Sequence, residues 1–210
     1  MRGYHFTGER LRDGSPLPPI GEWLIHGGEI YPCISGLHMS VHPFDALQYA
    51  PGKTLHLVEL EGDLQPHGDP IDKWVGRRRK ILKTIDATEI LKKFARWCAL
   101  EVIHLWDTPD VVINFLQTGD ETLRSAAMAT ADAVWAAGAG RDAWAARAAG
   151  NAAWAARSAE NAAWAERAAG DAARAAADAA RAAARGAGRD AARAAQREKF
   201  VEMVNGQRSI

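Results

Sequence analysis

The side chains best suited to chemistry are histidines, and most of them lie in the first third of the chain. Six of the seven histidines occur there: His5, His26, His38, His42, His56 and His67. Only His38 and His42 are close in sequence, and neither an HExxH pair nor a Cys/His framework accompanies them. We therefore expect this region to carry any chemistry of the protein, without a metal site and without a cofactor.

The segment Ser35–Ser40 combines hydroxyls, a glycine and a histidine, and it is a candidate ligand loop. Ser35 and Ser40 supply hydroxyls that could bond a phosphate or a ribose, and Gly36 permits unusual backbone angles beside His38. A tight turn between two strands, with Gly36 required only for its geometry, accounts for the same residues. Both interpretations stay open at this point.

A basic run lies between residues 73 and 83. Its members are Lys73, Arg77, Arg78, Arg79, Lys80 and Lys83. These side chains could contact phosphates or an acidic partner. A solvated loop followed by an edge strand that charge protects from pairing is the alternative. The three consecutive arginines are included among the candidate ligand-binding residues.

These side chains need a scaffold, and the first half of the chain predicts a mixed one. Short apolar and aromatic segments at residues 3–6, 53–60 and 80–85 are typical of strands, and the apolar stretch 23–26 ends at a Gly27-Gly28 turn. Residues 42–50 predict a short helix. A longer helix begins near Thr88, which can cap it, and apolar residues recur at helical spacing as far as Leu105. We therefore expect an α+β fold class, with a small mixed α/β domain over residues 1–106.

The second half is a repeat. Eight of the nine prolines lie before residue 71, and alanine dominates from Ser125 onward. Blocks of about ten residues begin with Asn or Asp, the preferred residues at helix starts, and several end near glycine, preferred just after a helix. Four blocks carry a tryptophan: Trp135, Trp144, Trp154 and Trp164.

The period of this repeat argues against one long helix. Ten residues leave each copy about 80° out of line with the last, so the tryptophans would share no face. Stacked helices of about two turns bury them between neighbours instead. We therefore predict an all-α solenoid over residues 107–206, with a longer capping helix from Asp190 to Val204.

Arginines recur in the same blocks. Arg147, Arg157 and Arg167 are spaced ten residues apart, and Arg174 takes the place of the tryptophan in the next unit. In a solenoid they would form a ladder suited to phosphates or to carboxylates of a partner protein. They could equally keep an alanine-rich array soluble, or pair with Glu160 and Glu166.

Composition excludes several classes of protein. Lys+Arg and Asp+Glu each number 26, so the zero formal charge argues against a nucleic-acid coat. Cys33 and Cys98 form no CxxC pair, which favours a reducing compartment. The N-terminus lacks the apolar core of a signal peptide, and no run of about 18 apolar residues is present. We expect a soluble, cytoplasmic protein that does not contact membranes.

A series of motifs resembles an uncharacterised family found in bacteriophages and bacteria. The series comprises Tyr4 and Phe6, Cys33–His38, Val58–Leu60, Cys98–Val102 and the blocks from Trp135 onward. The resemblance brings no established activity. It implies a viral or mobile-element origin, and therefore a setting in immunity or counter-defence within the host cytoplasm.

A second resemblance covers about residues 3–62. A histidine in the first strand, the Ser-Gly-Leu-His loop and a later strand with a glutamate are similar to the ADP-ribosyltransferase and RNA 2′-phosphotransferase arrangement. That resemblance implies that His5 would hold a ribose, that Tyr49 would stack on a nicotinamide or base, and that Glu59 would be catalytic.

Three functions follow as hypotheses. The first is a non-catalytic protein that binds a host or defence protein, inhibits an immune component and uses the repeats as its surface. The second is a module that sequesters a phosphorylated small molecule at the His38 loop and the basic run. The third is an enzyme related to ADP-ribosyl transfer. We rank them in this order and leave homo-oligomer formation open.

Overall fold

The computed structural model describes residues 1–137, 141–158, 180–185 and 188–206. The chain forms two compact units, Met1–Ala87 and Thr88–Ile210. The division falls at the start of the helix predicted from Thr88. This helix therefore lies in the second of these units, while the predicted domain boundary at residue 106 stays a prediction.

The first unit contains two antiparallel sheets and one short helix. Its elements are β1 (Arg2–Thr7), β2 (Trp23–Ile25), β3 (Leu37–Met39), α1 (Pro43–Leu47), β4 (Thr54–Glu61), β5 (Gln65–His67), β6 (Lys73–Gly76) and β7 (Arg78–Asp86). The first sheet has the strand order β1-β4-β7-β2, and the second has the order β3-β6-β5. The predicted α+β fold class is confirmed.

Apolar residues of both sheets meet in one core. Met39 of β3 packs with Val58, Leu60 and Ile81 of the first sheet, and Leu37 and Trp74 lie against this group. Side chains alternate between the two faces of a strand, so the residues between these core positions point to the other face of the second sheet. That other face carries the candidate site.

The second unit is helical. Its described helices are α2 (Thr88–Leu100), α3 (Asp110–Thr118), α4 (Arg124–Ala137), α5 (Arg141–Ser158) and a C-terminal helix (Arg189–Gly206), with a 3-10 turn at Ile103–Leu105. Helix α2 packs against α3, α5 and the C-terminal helix. Phe94 of α2 meets Phe200 edge to face, with ring centroids 4.8 Å apart. The predicted long helix at the C-terminus is confirmed.

The predicted solenoid of two-turn helices is not shown among the described residues, and one predicted boundary is wrong. Helix α5 continues through Gly150 and Asn151, where one block was expected to end and the next to begin. A glycine inside a helix costs only about 1 kcal/mol relative to alanine. Gly150 is buried, and a Cβ there would lie 3.1 Å from Asp132 and 3.7 Å from Ala131 of α4. Because Gly150 has no Cβ, helix α4 can pack closely against it, and the glycine does not end helix α5. Trp164 and the blocks from Asn161 to about residue 179 lie outside the described residues.

Candidate functional site

The register of the second sheet collects polar side chains on the face away from the core. His38 pairs with Val75, and Gln65 pairs with Val75 from the other side. His67 pairs with Lys73, which lies two residues before Val75 in β6. Residues directly opposite share a face, as do residues two apart in one strand. His38, His67 and Lys73 therefore lie on one surface.

The loop before β3 approaches this surface closely. Gly36 has φ +107°, and a Cβ added there would stand 2.5 Å from Cγ2 of Val75. The Gln65 amide donates to the carbonyl oxygen of Ile30 at 3.3 Å. Glycine is therefore required at position 36 both for its backbone angle and for the space beside β6.

Cys33, in the same loop, lies at the centre of the polar contacts. Its Sγ accepts a hydrogen bond from Nζ of Lys73 at 3.0 Å and lies 3.2 Å from Nε2 of His67. Its backbone N–H donates to Nε2 of His38 at 3.3 Å. Cys33 is exposed and has φ 68°, a left-handed angle that is unusual for a residue other than glycine. We call Cys33, His38, His67 and Lys73 the Cys33 cluster.

His38 is a neutral imidazole in this arrangement. Its Nε2 accepts the N–H of Cys33, so its proton is on Nδ1. Burial lowers the pKa of His38 to about 4, and the positive charges of Lys73, Arg79 and Arg12 act in the same direction. His38 therefore stays uncharged at neutral pH and retains one N–H to donate.

Lys73 is a buried cation that has no carboxylate partner in the part of the chain that the structure describes. Its side chain is 7% exposed, and no Asp or Glu oxygen of the described residues lies within 4.0 Å of its ammonium group. Besides Cys33 it contacts the ring of Tyr49, whose centroid is 3.9 Å from Nζ. The ammonium group is therefore held by a sulfur atom and an aromatic face.

Tyr49 and Asp72 border the cluster. The Tyr49 hydroxyl donates to Oδ2 of Asp72 at 2.6 Å, and the amide of Gln48 donates to the same oxygen at 2.7 Å. Oδ1 of Asp72 is buried and has no hydrogen-bond partner among the described residues. Burial, together with the hydrogen bond to Asp72 and its negative charge, raises the pKa of Tyr49 well above its ordinary value, so the hydroxyl remains protonated.

Arg79 of β7 is a second buried cation, and it reaches the backbone of His38. It is 6% exposed, and Nη1 donates to the carbonyl oxygen of His38 at 2.6 Å. Within the described ranges no carboxylate forms an ion pair with it. Burial lowers the pKa of Arg79 to about 10, so the guanidinium is still charged at neutral pH.

A row of polar residues crosses the first sheet. His5 pairs with His56, and His56 pairs with Thr84. The Thr7 hydroxyl donates to the Gly8 carbonyl, so Nε2 of His56 donates to Thr7 at 2.8 Å and Nδ1 accepts from Thr84 at 2.9 Å. Burial, with the charge of Arg79, lowers the pKa of His56 to about 4.

His5 differs from His56 because its ring makes no hydrogen bond to the described part of the chain. Burial, followed by the charge of Arg79, lowers its pKa well below the ordinary value. The assignment of His5 to a ligand site stays a prediction. The structure does not bring His5 into contact with Cys33.

Other predicted site residues have structural partners. Ser35 donates to the Glu29 carbonyl at 2.7 Å and lies 2.9 Å from Nε2 of His26. Ser40 is buried, and its backbone N–H and carbonyl both pair with Tyr4. These contacts hold the loop in shape.

Two of the three predicted arginines lie apart from the cluster. Arg77 forms an ion pair with Asp63 at 2.8 Å and donates to the Gly28 carbonyl at 3.0 Å. Arg78 forms an ion pair with Glu61 at 2.5 Å and lies over the ring of Trp23. Neither contacts the residues of the Cys33 cluster.

Glu59, the catalytic residue implied by the resemblance to ADP-ribosyltransferases, does not share a face with His5. Register pairs His5 with His56, and Glu59 lies three positions further along β4, on the opposite face. Its carboxylate bonds Lys80 at 2.9 Å, and this bond lowers the pKa of Glu59. The two residues therefore do not form one site.

The site residues that sequence analysis missed are Cys33 and Asp72, and it did not single out His67 or Lys73. Lys73 stood in the basic run and His67 among the histidines. The sequence feature that could have identified Lys73 is its position at the start of the short apolar strand Lys73–Gly76, because a buried lysine is unusual.

In the second unit, one predicted partner-binding arginine contacts the tryptophans. The exposed Arg147 guanidinium lies 4.7 Å from the ring centroid of Trp135 and 5.7 Å from that of Trp144. Arg185 lies over Trp144 at 4.5 Å. The side chain of Arg157, and the whole of Arg167 and Arg174, lie outside the described part of the chain.

Comparison with protein families gives a match for the first part of the chain. Residues 1–93 match a domain of unknown function, DUF7666. This similarity covers less than half of the chain and assigns no activity. No curated protein and no solved structure matches.

Two further searches of the described residues bear on the site. No group of three or more His, Cys, Asp or Glu side chains there has an arrangement that could hold a metal ion. None of the described helices has the length and apolar character needed to cross a membrane.

Proposed function

We propose that the first unit binds a small phosphorylated molecule at the Cys33 cluster, while the positive charge of Arg79, which bonds the His38 carbonyl, attracts the anion at longer range. One observation carries the proposal: Lys73 and Arg79 are both more than nine-tenths buried, and neither forms an ion pair with a described carboxylate. A buried cation without a partner carries a desolvation penalty of several kcal/mol, which an incoming anion offsets. The Nδ1–H of His38 supplies an additional donor.

The surroundings favour a ligand that also has an apolar or aromatic part. Ile34, next to Cys33 in the chain, is 84% exposed, and Ile71, next to Asp72, is 52% exposed. Tyr31 and Tyr49 are also exposed. Aromatic and aliphatic side chains beside fixed polar groups are typical of nucleotide and small-molecule sites. A nucleotide therefore fits better than inorganic phosphate.

Thermal denaturation of the full chain with AMP, ATP and inorganic phosphate tests the proposal. A ligand that binds only the folded protein stabilises it by about 2.7 kcal/mol at one hundred times its Kd. We expect a concentration-dependent rise in Tm with a nucleotide, and recovery of the nucleotide chemically unchanged. Lys73→Met should abolish the rise. Lys83→Met, at an exposed position of β7, is the matched control and should keep it. No rise with any of these anions would refute the proposal.

Binding of a host or defence protein by the second unit stays a prediction. The described Arg147, exposed over two tryptophans, is the place to test it. A partner recovered by the wild-type chain and lost by Arg147→Ala would support this function. A partner retained by the variant would remove the arginine from it.

A further inference from the structure

Cys33 has the environment of a reactive thiol, and Cys98 does not. Cys33 is exposed, whereas Cys98 is fully buried in α2 and burial raises its pKa. Reactive cysteines are accessible and lie beside cationic or imidazole groups, whereas buried structural cysteines are inert. The chain therefore contains its own internal reference for thiol reactivity.

Two side chains suit Cys33 to nucleophilic attack. Nε2 of His67 is 3.2 Å from Sγ, within reach to take the thiol proton. The ammonium group of Lys73, 3.0 Å from the same sulfur, is the cation that stabilises the negative charge left behind. Both side chains project from opposed positions of β5 and β6, so the sheet fixes their spacing.

The backbone at Cys33 supports the same interpretation. Its left-handed φ of 68° is unfavourable for a side chain with a Cβ, and such angles persist where the surroundings enforce them. The hydrogen bond from its N–H to His38 is one such constraint. The strained angle holds the sulfur between the lysine and the histidine.

We propose that Cys33 is a nucleophile that forms a covalent bond with a small anion carrying an electrophilic carbon. The thiol proton passes to Nε2 of His67, the sulfur lone pair forms an S–C bond, and the leaving group departs with the electrons of its bond to that carbon. Lys73 recognises the anionic part directly, and the positive charge of Arg79, which bonds the His38 carbonyl, attracts it at longer range. The anion selectivity rests on the function proposed above, whereas the nucleophilicity of the thiol does not.

Alkylation of the full-length protein tests both parts. Iodoacetate is an anionic probe and iodoacetamide is its neutral counterpart; each transfers its carbon to sulfur and releases iodide. Rates at Cys33 and Cys98 are followed by peptide mass spectrometry and compared with N-acetylcysteine amide, a neutral free thiol. Electrostatic attraction should raise the preference for iodoacetate over iodoacetamide at Cys33 about tenfold above that of the free thiol.

The variants separate the contributions. His67→Gln should slow reaction with both reagents because it removes the proton acceptor. Lys73→Met should remove the preference for iodoacetate, while Lys83→Met, as the matched control, should leave both rates unchanged. Added phosphate should slow iodoacetate more than iodoacetamide. This competition uses the wild-type chain and so does not depend on the folding of any variant.

The outcomes separate the two parts. If Cys33 reacts no faster than the free thiol with either reagent, the nucleophile is refuted, and the nucleotide-binding measurement still stands. If Cys33 reacts rapidly with both reagents but shows no preference for iodoacetate and no phosphate protection, the nucleophile is supported and the anion site is refuted. Faster reaction of Cys98 would refute the assignment to Cys33.

Discussion

Replacing Arg79 with methionine should leave the stability of the fold nearly unchanged and remove the stabilisation by a ligand. Arg79 is buried and, within the described ranges, its side chain makes one hydrogen bond, to the His38 carbonyl. Methionine keeps a long unbranched side chain and removes the charge. If the guanidinium is retained for an anion, the variant should fold as well as the wild type and lose the rise in Tm with nucleotide.

The expected change in the free energy of unfolding follows from two opposing contributions. Burial lowers the pKa of Arg79 from 12.5 to about 10, which corresponds to about 3 kcal/mol of unfavourable burial of the charged form at neutral pH. A hydrogen bond to a charged donor contributes about 1.5–3 kcal/mol in the other direction. The two nearly cancel. We therefore expect Arg79→Met to change the free energy of unfolding by less than about 2 kcal/mol, in agreement with replacements of other buried charges by apolar residues.

Urea denaturation at pH 7, with and without nucleotide, measures both quantities. Arg78→Met is the matched control, because Arg78 is exposed and its ion pair with Glu61 is of a kind that contributes about 1 kcal/mol or less. The control should keep the ligand-dependent shift. A loss of more than about 4 kcal/mol in Arg79→Met, with binding retained, would mean that Arg79 is structural.

Three further predictions concern stability. His56 has a pKa of about 4 in the folded protein and 6.5 as its reference value, so the folded state binds fewer protons than the unfolded state between these pH values. About 3 kcal/mol of stability should therefore be lost as pH falls from 6.5 through 4. Urea denaturation of the wild type and of His56→Gln at several pH values checks this, and an equal change in the free energy of unfolding with pH for both proteins would contradict it. Gly36→Ala should destabilise the protein by about 1–3 kcal/mol because of its φ and the nearby Val75, and an unchanged Tm would show that the loop can shift. Gly150→Ala should raise stability by about 0.5–1 kcal/mol if the exposed Asp132 side chain can move aside; a loss on thermal melting would argue that the helix needs the glycine there.

The long elements of the fold could be predicted from the sequence because they carry readable periodicity. Strands β1, β4 and β7 and helix α2 were predicted within a few residues of their observed limits. Strands β2, β3, β5 and β6 have only three or four residues each and were not predicted. A segment of that length shows no alternation to read, and β5 includes Pro66, which argues against a strand.

The site was predicted only in part for the same reason. His38 and Gly36 stand in one conspicuous loop, so sequence analysis found them. His67 and Lys73 are brought to this loop by pairing between β5 and β6, and no local pattern encodes that register. At Gly150 the sequence suggested a helix end, but packing against α4 outweighed the local preference.

Unusual local features distinguish the Cys33 cluster from the rest of the first unit. Asp63 also has a positive φ, of 50°, but aspartate tolerates that angle, and its carboxylate pairs with Arg77. Its unusual angle is thus explained locally. At Cys33 the strained angle lies beside the buried Lys73, whose ammonium group bonds the sulfur, and the buried Arg79 bonds the His38 carbonyl; neither cation has a described carboxylate partner. Lys73 also contacts the ring of Tyr49, which bonds Asp72, and the buried Oδ1 of Asp72 has no hydrogen-bond partner among the described residues. Natural proteins retain such conflicts mainly at functional sites. A bound anion would neutralise the cations, whereas a purely structural role would leave them unexplained.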